Sequence, residues 1–367
     1  MDPARQALAG LGQKEREALL FLRRHPAALY LLARGLAALL GLAALVLVAL
    51  GPASPPPQPD RLVYLPPGST TREATMVLAR EGLLRHPALF RLLARVRGLD
   101  RSLRAGEYRL NAGMPSWTVL AALAEGRTVT RRVTLPEGLQ AREVVYRLAR
   151  AGAGTEEELW ELVSSPEKVF GDRLPTELAG AASLEGFLFP DTYELSRGEP
   201  PERLLRRMVE RFLAEARPLY EQSPLRQQVT FYQMVVLASL VEAEAQVEEE
   251  RRTIAGVFYN RLSRGMPLQS CATVEYALGR HKSRLSLDDL QVDSPYNTYL
   301  HPGLPPGPIG NPGRSSLAAV AQPESTPYLY FVAKGDGTHR FSCSYGEHLL
   351  AQRRYEAGLR RMASPSR

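Results

Sequence analysis

The strongest chemical signal in this chain is a glutamate placed in an apolar run. The stretch from Thr230 to Leu262, TFYQMVVLASLVEAEAQVEEERRTIAGVFYNRL, reads as one long helix or a helix pair. Val236, Leu237, Leu240 and Val241 recur at helical spacing and mark a buried face. Three to four residues further along that face stands Glu244, where another hydrophobe is due. Glu242 falls toward the other side, roughly 200° around the turn. Burial disfavours the charged form of a carboxyl and raises its pKa, which is what a general acid needs. The alternative is that the apolar face ends at Val241 and Glu244 is solvated, as most glutamates are.

A second cluster lies in Ser183-Leu184-Glu185-Gly186-Phe187-Leu188-Phe189-Pro190-Asp191-Thr192-Tyr193. Aromatic faces with a few fixed polar groups hold sugars and other amphipathic ligands, and Glu185, Phe189, Asp191 and Tyr193 are the candidates here. An aromatic cluster of this kind is equally a piece of core. Other chemistries are poorly supported. The six histidines (25, 86, 281, 301, 339 and 348) have no metal-ligand spacing, and neither a nucleophile elbow nor a phosphate loop is present, so no metal or cofactor is expected. The formal net charge is +7, with much of the basic excess near the N-terminus. No basic motif lies within a folded domain, so no nucleic-acid partner is expected. Cys271 and Cys343 are too few for a disulfide scaffold.

The elements that would position these groups follow from the rest of the 367 residues, enough for two domains. Residues 1–25 form a basic segment with Arg5, Lys14, Arg16, Arg23 and Arg24. Residues 26–51 are apolar apart from Arg34, whose long side chain can reach the headgroups, and read as a transmembrane helix. The basic flank places the N-terminus in the cytoplasm and everything after Pro52 outside, at the cytoplasmic (inner) membrane. A cleaved signal peptide is the alternative, against which the long basic flank and the exit PASPPPQPD argue. Residues 52–60 then make a stiff Pro-rich spacer. Outside the membrane a disulfide can persist, so a Cys271–Cys343 bond and two free thiols are both open.

Residues 61–154 repeat a unit of short strand, Gly turn, helix and C-terminal Gly. Leu65-Pro66-Pro67-Gly68 leads to Leu78-Ala79-Arg80-Glu81-Gly82, Tyr108-Arg109-Leu110-Asn111-Ala112-Gly113 to Leu120–Gly126, and Leu135-Pro136-Glu137-Gly138 to Leu148–Gly152. The pattern resembles LysM-like glycan-binding modules, with a purely structural βα module as the alternative. Residues 155–367 are mainly helical. They include an amphipathic helix from Pro201 to Ala216 and a Gly/Pro-rich loop from Gly303 to Gly313. A hairpin follows over 328–342, and then a polar helix from Tyr345 with a basic tail. The expected fold is α+β: one N-terminal transmembrane helix, a LysM-like βα module, and a mainly helical domain with a small hairpin.

Five motifs then occur in order: Glu185-Gly186-Phe187-Leu188-Phe189-Pro190-Asp191-Thr192-Tyr193, Ala238-Ser239-Leu240-Val241-Glu242-Ala243-Glu244, Phe258-Tyr259-Asn260-Arg261-Leu262, Tyr296-Asn297-Thr298-Tyr299 with Gly303-Leu304-Pro305-Pro306-Gly307-Pro308-Ile309, and Tyr328-Leu329-Tyr330-Phe331-Val332. Together they resemble the membrane-anchored endolytic murein transglycosylases, the YceG-like family, from about Leu62 to the end of the chain. One departure is Ser270-Cys271-Ala272, where many members carry Asp-Pro.

The resemblance implies a lyase of bacterial cell-wall biogenesis. Such an enzyme cleaves the β-1,4 bond between N-acetylmuramic acid and N-acetylglucosamine within nascent peptidoglycan strands, leaves 1,6-anhydro ends and so terminates elongation. It implies Glu244 as the catalytic group, and cell-wall synthases of the elongation or division machinery as protein partners. Gln269, Tyr296, Asn297 and Thr298 are candidates to bond the sugars, with turn-making as the alternative for Asn297 and Thr298. Hydrolysing glycosidases usually use two carboxylates, and only Glu185, Asp191 and Glu248 offer a second. A transglycosylase needs one, acting as acid and then base on the C6 hydroxyl. The rival readings are a water-using muramidase and a non-catalytic peptidoglycan-binding scaffold.

Overall fold

The computed structural model describes residue 14 and residues 26–100, 102–282 and 285–363. The basic segment 1–25, Lys14 apart, and the tail from 364 lie outside the described residues. By internal packing the chain divides into two compact units, residues 1–129 and 130–367.

In the first unit the apolar run forms α1 (Pro26–Ala49). Its Tyr30–Ala49 part is 20 residues of mean hydropathy 2.4, none of it buried. At about 1.5 Å per residue it matches the ~30 Å hydrocarbon core of a bilayer, so α1 is long and apolar enough to cross a membrane. The Pro-rich stretch 52–60 and its flank are tied to the rest of the unit. Ser54 N–H donates to Ala112 O (2.9 Å), Asn111 Nδ2 to Asp60 (2.8 Å) and Ser116 N–H to Leu50 O (2.8 Å), while Ala53 packs on the core beneath. That core lies under a two-stranded antiparallel sheet, β1 (Arg61–Leu65) and β2 (Gly106–Leu110), with Val63 opposite Tyr108. Alternate residues Val63, Leu65, Tyr108 and Leu110 face α2 (Thr71–Arg80), α3 (Pro87–Val96) and α4 (Ser116–Glu125), which contribute Leu78, Phe90 and Leu123. A reciprocal Thr70–Glu73 cap starts α2.

The three strand–turn–helix copies all form, but they are shared between the units. The first two, β1–α2 and β2–α4, build the first core. The third, β3 (Thr130–Thr134) and α5 (Ala141–Arg150), belongs to the second unit. There β3 pairs antiparallel with β4 (Thr192–Ser196), and Val144, Val145 and Leu148 enter the larger core. By packing, the units part at 129/130.

The second unit continues with α6 (Glu156–Val163), α7 (Pro166–Phe170), α8 (Pro201–Glu221), α9 (Phe231–Glu244), α10 (Arg251–Ser263), α11 (Cys271–Leu278) and α12 (Arg314–Ala321). The hairpin β5 (Tyr330–Ala333) and β6 (His339–Ser342) and then α13 (Tyr345–Ala363) end it. The Thr230–Leu262 stretch is thus a helix pair. Thr230 caps α9 by accepting from Gln233 N–H, and Ala245 breaks out into extended backbone. Helix α9 is central, packed by α10 and α12, and every residue from Met234 to Val241 is buried. Val235, Ala238 and Ser239 are as enclosed as the expected face of Val236, Leu237, Leu240 and Val241.

Candidate active site

Glu244 is the last residue of α9 and is half-buried. At the carbonyl end of a helix the dipole disfavours negative charge. Burial raises its pKa above the ordinary carboxylate value. The Ser270 hydroxyl, His339 and the Ala272 amide pull the other way, and the charge on Glu275 adds to the rise. Ser270 Oγ donates to Glu244 Oε1 at 2.5 Å.

Ser270 is held by long-range bonds. It precedes α11 and follows Gln269, whose φ of +52° is the only left-handed value at a non-glycine among the described residues. Gln269 N–H donates to Thr298 O (3.1 Å), Ser270 N–H to Thr298 Oγ1 (3.1 Å), and Thr298 Oγ1 shares a 2.9 Å bond with Thr273 Oγ1. From α10, buried Arg261 reaches Pro267 O (3.0 Å), Leu268 O (2.8 Å) and Leu329 O (2.6 Å), with its guanidinium 5.0 Å from the centre of the Tyr330 ring. A buried cation normally needs a carboxylate; here carbonyls and an aromatic face do that work and clamp the 266–270 loop between α10 and β5.

A second loop runs along α9 toward its end. Tyr232 OH donates to Pro306 O (3.2 Å), Ile309 N–H to Ser239 Oγ (3.0 Å) and Gly313 N–H to Glu242 (2.9 Å). Glu242 also pairs with Arg251 (3.1 Å), so it is a buried brace and not a solvated partner of Glu244. A Cβ at Gly307 would stand 2.9 Å from Tyr296 Oη and 3.1 Å from Tyr232 Oη, which explains the glycine there. On the other side His339 bonds Glu250 through Nδ1 (2.7 Å) and its own N–H, fixing the β5–β6 hairpin to the segment after Glu244.

The other sequence candidates divide between site and scaffold. Gln269 is exposed beside Ser270, and the half-buried Tyr296 ring lies 4.8 Å from that of Tyr276. Asn297 is fully buried: Nδ2 donates to Leu290 O and Val292 O (both 3.0 Å), and Oδ1 accepts from Tyr299 N–H (3.0 Å). Thr298 is buried too and spends its hydroxyl on Ser270 and Thr273. Glu185 is an internal hub: both oxygens accept Ala141 N–H (2.9 and 3.0 Å), Asn311 Nδ2 donates at 3.1 Å and Tyr276 OH at 3.3 Å. Burial still pushes its pKa up to about 7. Phe189 and Tyr193 lie in the core, with Tyr193 OH donating to Phe189 O (2.6 Å), and exposed Asp191 pairs with Arg211 (3.2 Å). The aromatic loop is therefore a brace, its rings facing inward against Phe212. Glu248 is exposed and pairs with Arg251 (3.0 Å). Cys271 and Cys343 are free thiols, so of the two openings it is the unbonded one that the structure holds. Cys271 Sγ lies 3.2 Å from Tyr299 Oη, and burial raises its pKa. Ser270 and Arg261 escaped the sequence reading as functional groups, because nothing in their local pattern marks the long-range bonds that bring them to Glu244.

The YceG-like family profile matches residues 63–354, which take in Glu244, Ser270, Arg261 and the hairpin. The chain belongs to the YceG-like family. It is similar to the endolytic murein transglycosylase of Bacillus subtilis, 32% identical over 308 residues that cover 80% of this chain and 84% of the relative. It is 31% identical over 297 residues to the endolytic murein transglycosylase of Streptococcus pneumoniae, spanning 74% of this chain but 54% of that relative. Among solved structures it is similar to a YceG-like protein of Listeria monocytogenes, at 31% identity and a TM-score of 0.54, over 80% of this chain and 99% of that one.

Proposed function

We propose that this YceG-like protein is an endolytic peptidoglycan lytic transglycosylase in which Glu244 is the single catalytic acid and base. The observation that carries the reading is that Glu244 is a half-buried carboxyl with a raised pKa, while Glu242 and the acids the sequence offers as its partner are engaged elsewhere. Glu242 is committed to Arg251 and Gly313, Glu250 to His339, Glu275 to His281 (2.8 Å) and the Lys282 amide, and Glu185 to its buried hub. Glu248 and Asp191 are taken by arginines. With these carboxylates committed to other partners, a one-carboxylate route fits best. Protonated Glu244 donates to the glycosidic oxygen between N-acetylmuramic acid and N-acetylglucosamine. The carboxylate then removes the C6 hydroxyl proton as that oxygen bonds to C1, giving a 1,6-anhydro end and a protonated Glu244 again.

Helix α1 serves in this reading as a retained single-pass anchor with the basic N-terminus in the cytoplasm and everything after Pro52 outside. The β1–α2–α3–β2 arrangement is read as a LysM-like glycan contact. Glycan strands under synthesis at the membrane are the substrate, and their synthases the protein partners.

The deciding measurement is mass spectrometry of muropeptides released from nascent glycan by the full chain beside its Glu244→Gln variant. Anhydro-ended products from the parent and none from the variant are expected. Products one water heavier would make the enzyme a hydrolase, and bound but uncleaved glycan with both proteins would make it a scaffold.

A further inference from the structure

One groove of about 600 Å³ in the second unit is lined by none of the residues around Glu244. It lies over β3 and the outer face of α5. The buried side of α5 carries Ala141, Val144, Val145 and Leu148, which leaves Arg142, Tyr146, Arg147 and Arg150 outward. Arg142 and Tyr146, and Tyr146 and Arg150, are four residues apart and so fall on one stripe. Two of the three cations are held by aromatic faces. Arg142 lies 4.6 Å over the Trp160 ring, and Arg150 lies 5.7 Å over Tyr146 and donates to its hydroxyl (3.1 Å). The one acid in the lining, Glu143, is drawn to the start of the helix, where it accepts from Gln140 N–H (3.0 Å). Among the described residues none of the three arginines pairs with a carboxylate.

We infer that this groove is an accessory site for the carboxylates of the peptide stems on the glycan strand. The inference rests on the peptidoglycan reading above. Three forked cations with no protein counter-ion match a row of carboxylates, because guanidinium binds that group through paired N–H donors. Exposed aromatic rings at 48% (Tyr146) and 36% (Trp160) give the sugar or peptide backbone a surface to lie on. A stem-bearing strand is polyanionic along its length, so an enzyme that cuts inside a strand gains grip from a cationic contact away from the cut. The commitment is to stem carboxylates; an anionic lipid surface is the competing occupant.

The test uses the full chain in detergent carrying Glu244→Gln, to prevent cleavage, and Trp117→Phe, which leaves Trp160 as the only tryptophan. Trp160 emission is titrated with stem-bearing glycan strands and with the same strands after their carboxylates are converted to amides. The untreated strands are expected to shift the emission and the amidated ones to bind more weakly. Arg147→Gln with Arg150→Gln should weaken binding of untreated strands about fivefold and leave amidated strands unchanged, the scale expected for two exposed charge pairs. In an otherwise wild-type chain the same pair should raise KM on stem-bearing glycan with kcat held. Equal affinity for both strands, or no loss in the arginine variant while the wild-type chain cleaves, overturns the site and leaves the enzymatic reading intact. A Trp160 response to phosphatidylglycerol but not to glycan overturns it in favour of a lipid contact. A wild-type chain that does not cleave glycan, beside a Glu244→Gln chain that does not bind it, removes the enzymatic reading and this inference with it.

Discussion

Replacing Ser270 with alanine removes the 2.5 Å hydroxyl donor to Glu244. A hydrogen bond to a charged group contributes about 1.5–3 kcal/mol. This bond favours the ionised carboxylate, and the pKa of Glu244 is raised by burial in spite of it. Its loss should therefore lift that pKa further, by about one unit or more at ~1.4 kcal/mol per unit. On the proposed route the first step needs Glu244 protonated, so the rate should fall as pH climbs through its pKa. In Ser270→Ala that alkaline limb should move up by about one pH unit. Near the plateau the variant should keep most of its kcat. Above the parent's limb it should be the faster enzyme, approaching tenfold. Ser270→Thr, which restores a hydroxyl, should return the limb to its place. The assay is the pH dependence of anhydro-muropeptide release under saturating glycan. A limb that stays put or moves down, or an activity loss equal at every pH, would refute the assignment of Glu244 as acid with Ser270 as its donor.

Three further outcomes follow from the same contacts. Asn297→Ala strips partners from Leu290 O, Val292 O and Tyr299 N–H in a fully buried turn and should destabilise the fold by about 3 kcal/mol in urea unfolding; unchanged stability with a raised KM would make it a sugar contact instead. Glu185 has a folded pKa near 7 against 4.5 for a free carboxyl, so its protonated form favours the fold. That stability, on the order of 3 kcal/mol, is fully present below about pH 4.5 and lost as pH rises through 7. Glu185→Gln should flatten the pH dependence of unfolding between pH 5 and 8, and an equally steep variant would show that Glu185 is ionised in the fold throughout. A thiol-reactive dye should count two free thiols in the native, unreduced protein, whereas a count of zero would mean a disulfide.

What was legible in the sequence was whatever short-range pattern determines. The hairpin, the apolar α1 and Glu244 at the end of its run follow from periodicity and turn residues within a few positions, while the sequence leaves the break between α9 and α10 open between one helix and two. The 183–193 loop did not yield to that reading. Whether Phe189 and Tyr193 face a sugar or the core depends on Phe212, and the role of Glu185 depends on Tyr276 and Asn311, which are 91 and 126 residues away. The third repeat is the same case. Its local pattern matches the first two, but β3 finds its partner in β4 across the α5–α7 segment, so its core is elsewhere. Asn297 and Thr298 look like surface polar groups until the turn that buries them is in place.

Glu244 stands between two helix ends of opposite sign. It closes α9, where unpaired carbonyls disfavour charge, and it faces the start of α11, where the Ser270 hydroxyl and the Ala272 amide favour it. A group that serves only as an acid would gain from the first setting alone, and one that serves only as a base from the second. A single carboxyl that must release a proton to the leaving oxygen and then collect one from the C6 hydroxyl needs both of its states supported without rearrangement. The rigid parts around it supply that. Arg261 clamps the loop that carries Ser270, the Thr298–Thr273 pair fixes the first turn of α11, and the 303–313 loop is bonded along α9 at Tyr232, Ser239 and Glu242. On the proposed route, catalysis by one carboxyl is therefore a demand on the relative placement of α9 and α11, and these buried polar bonds help to set it.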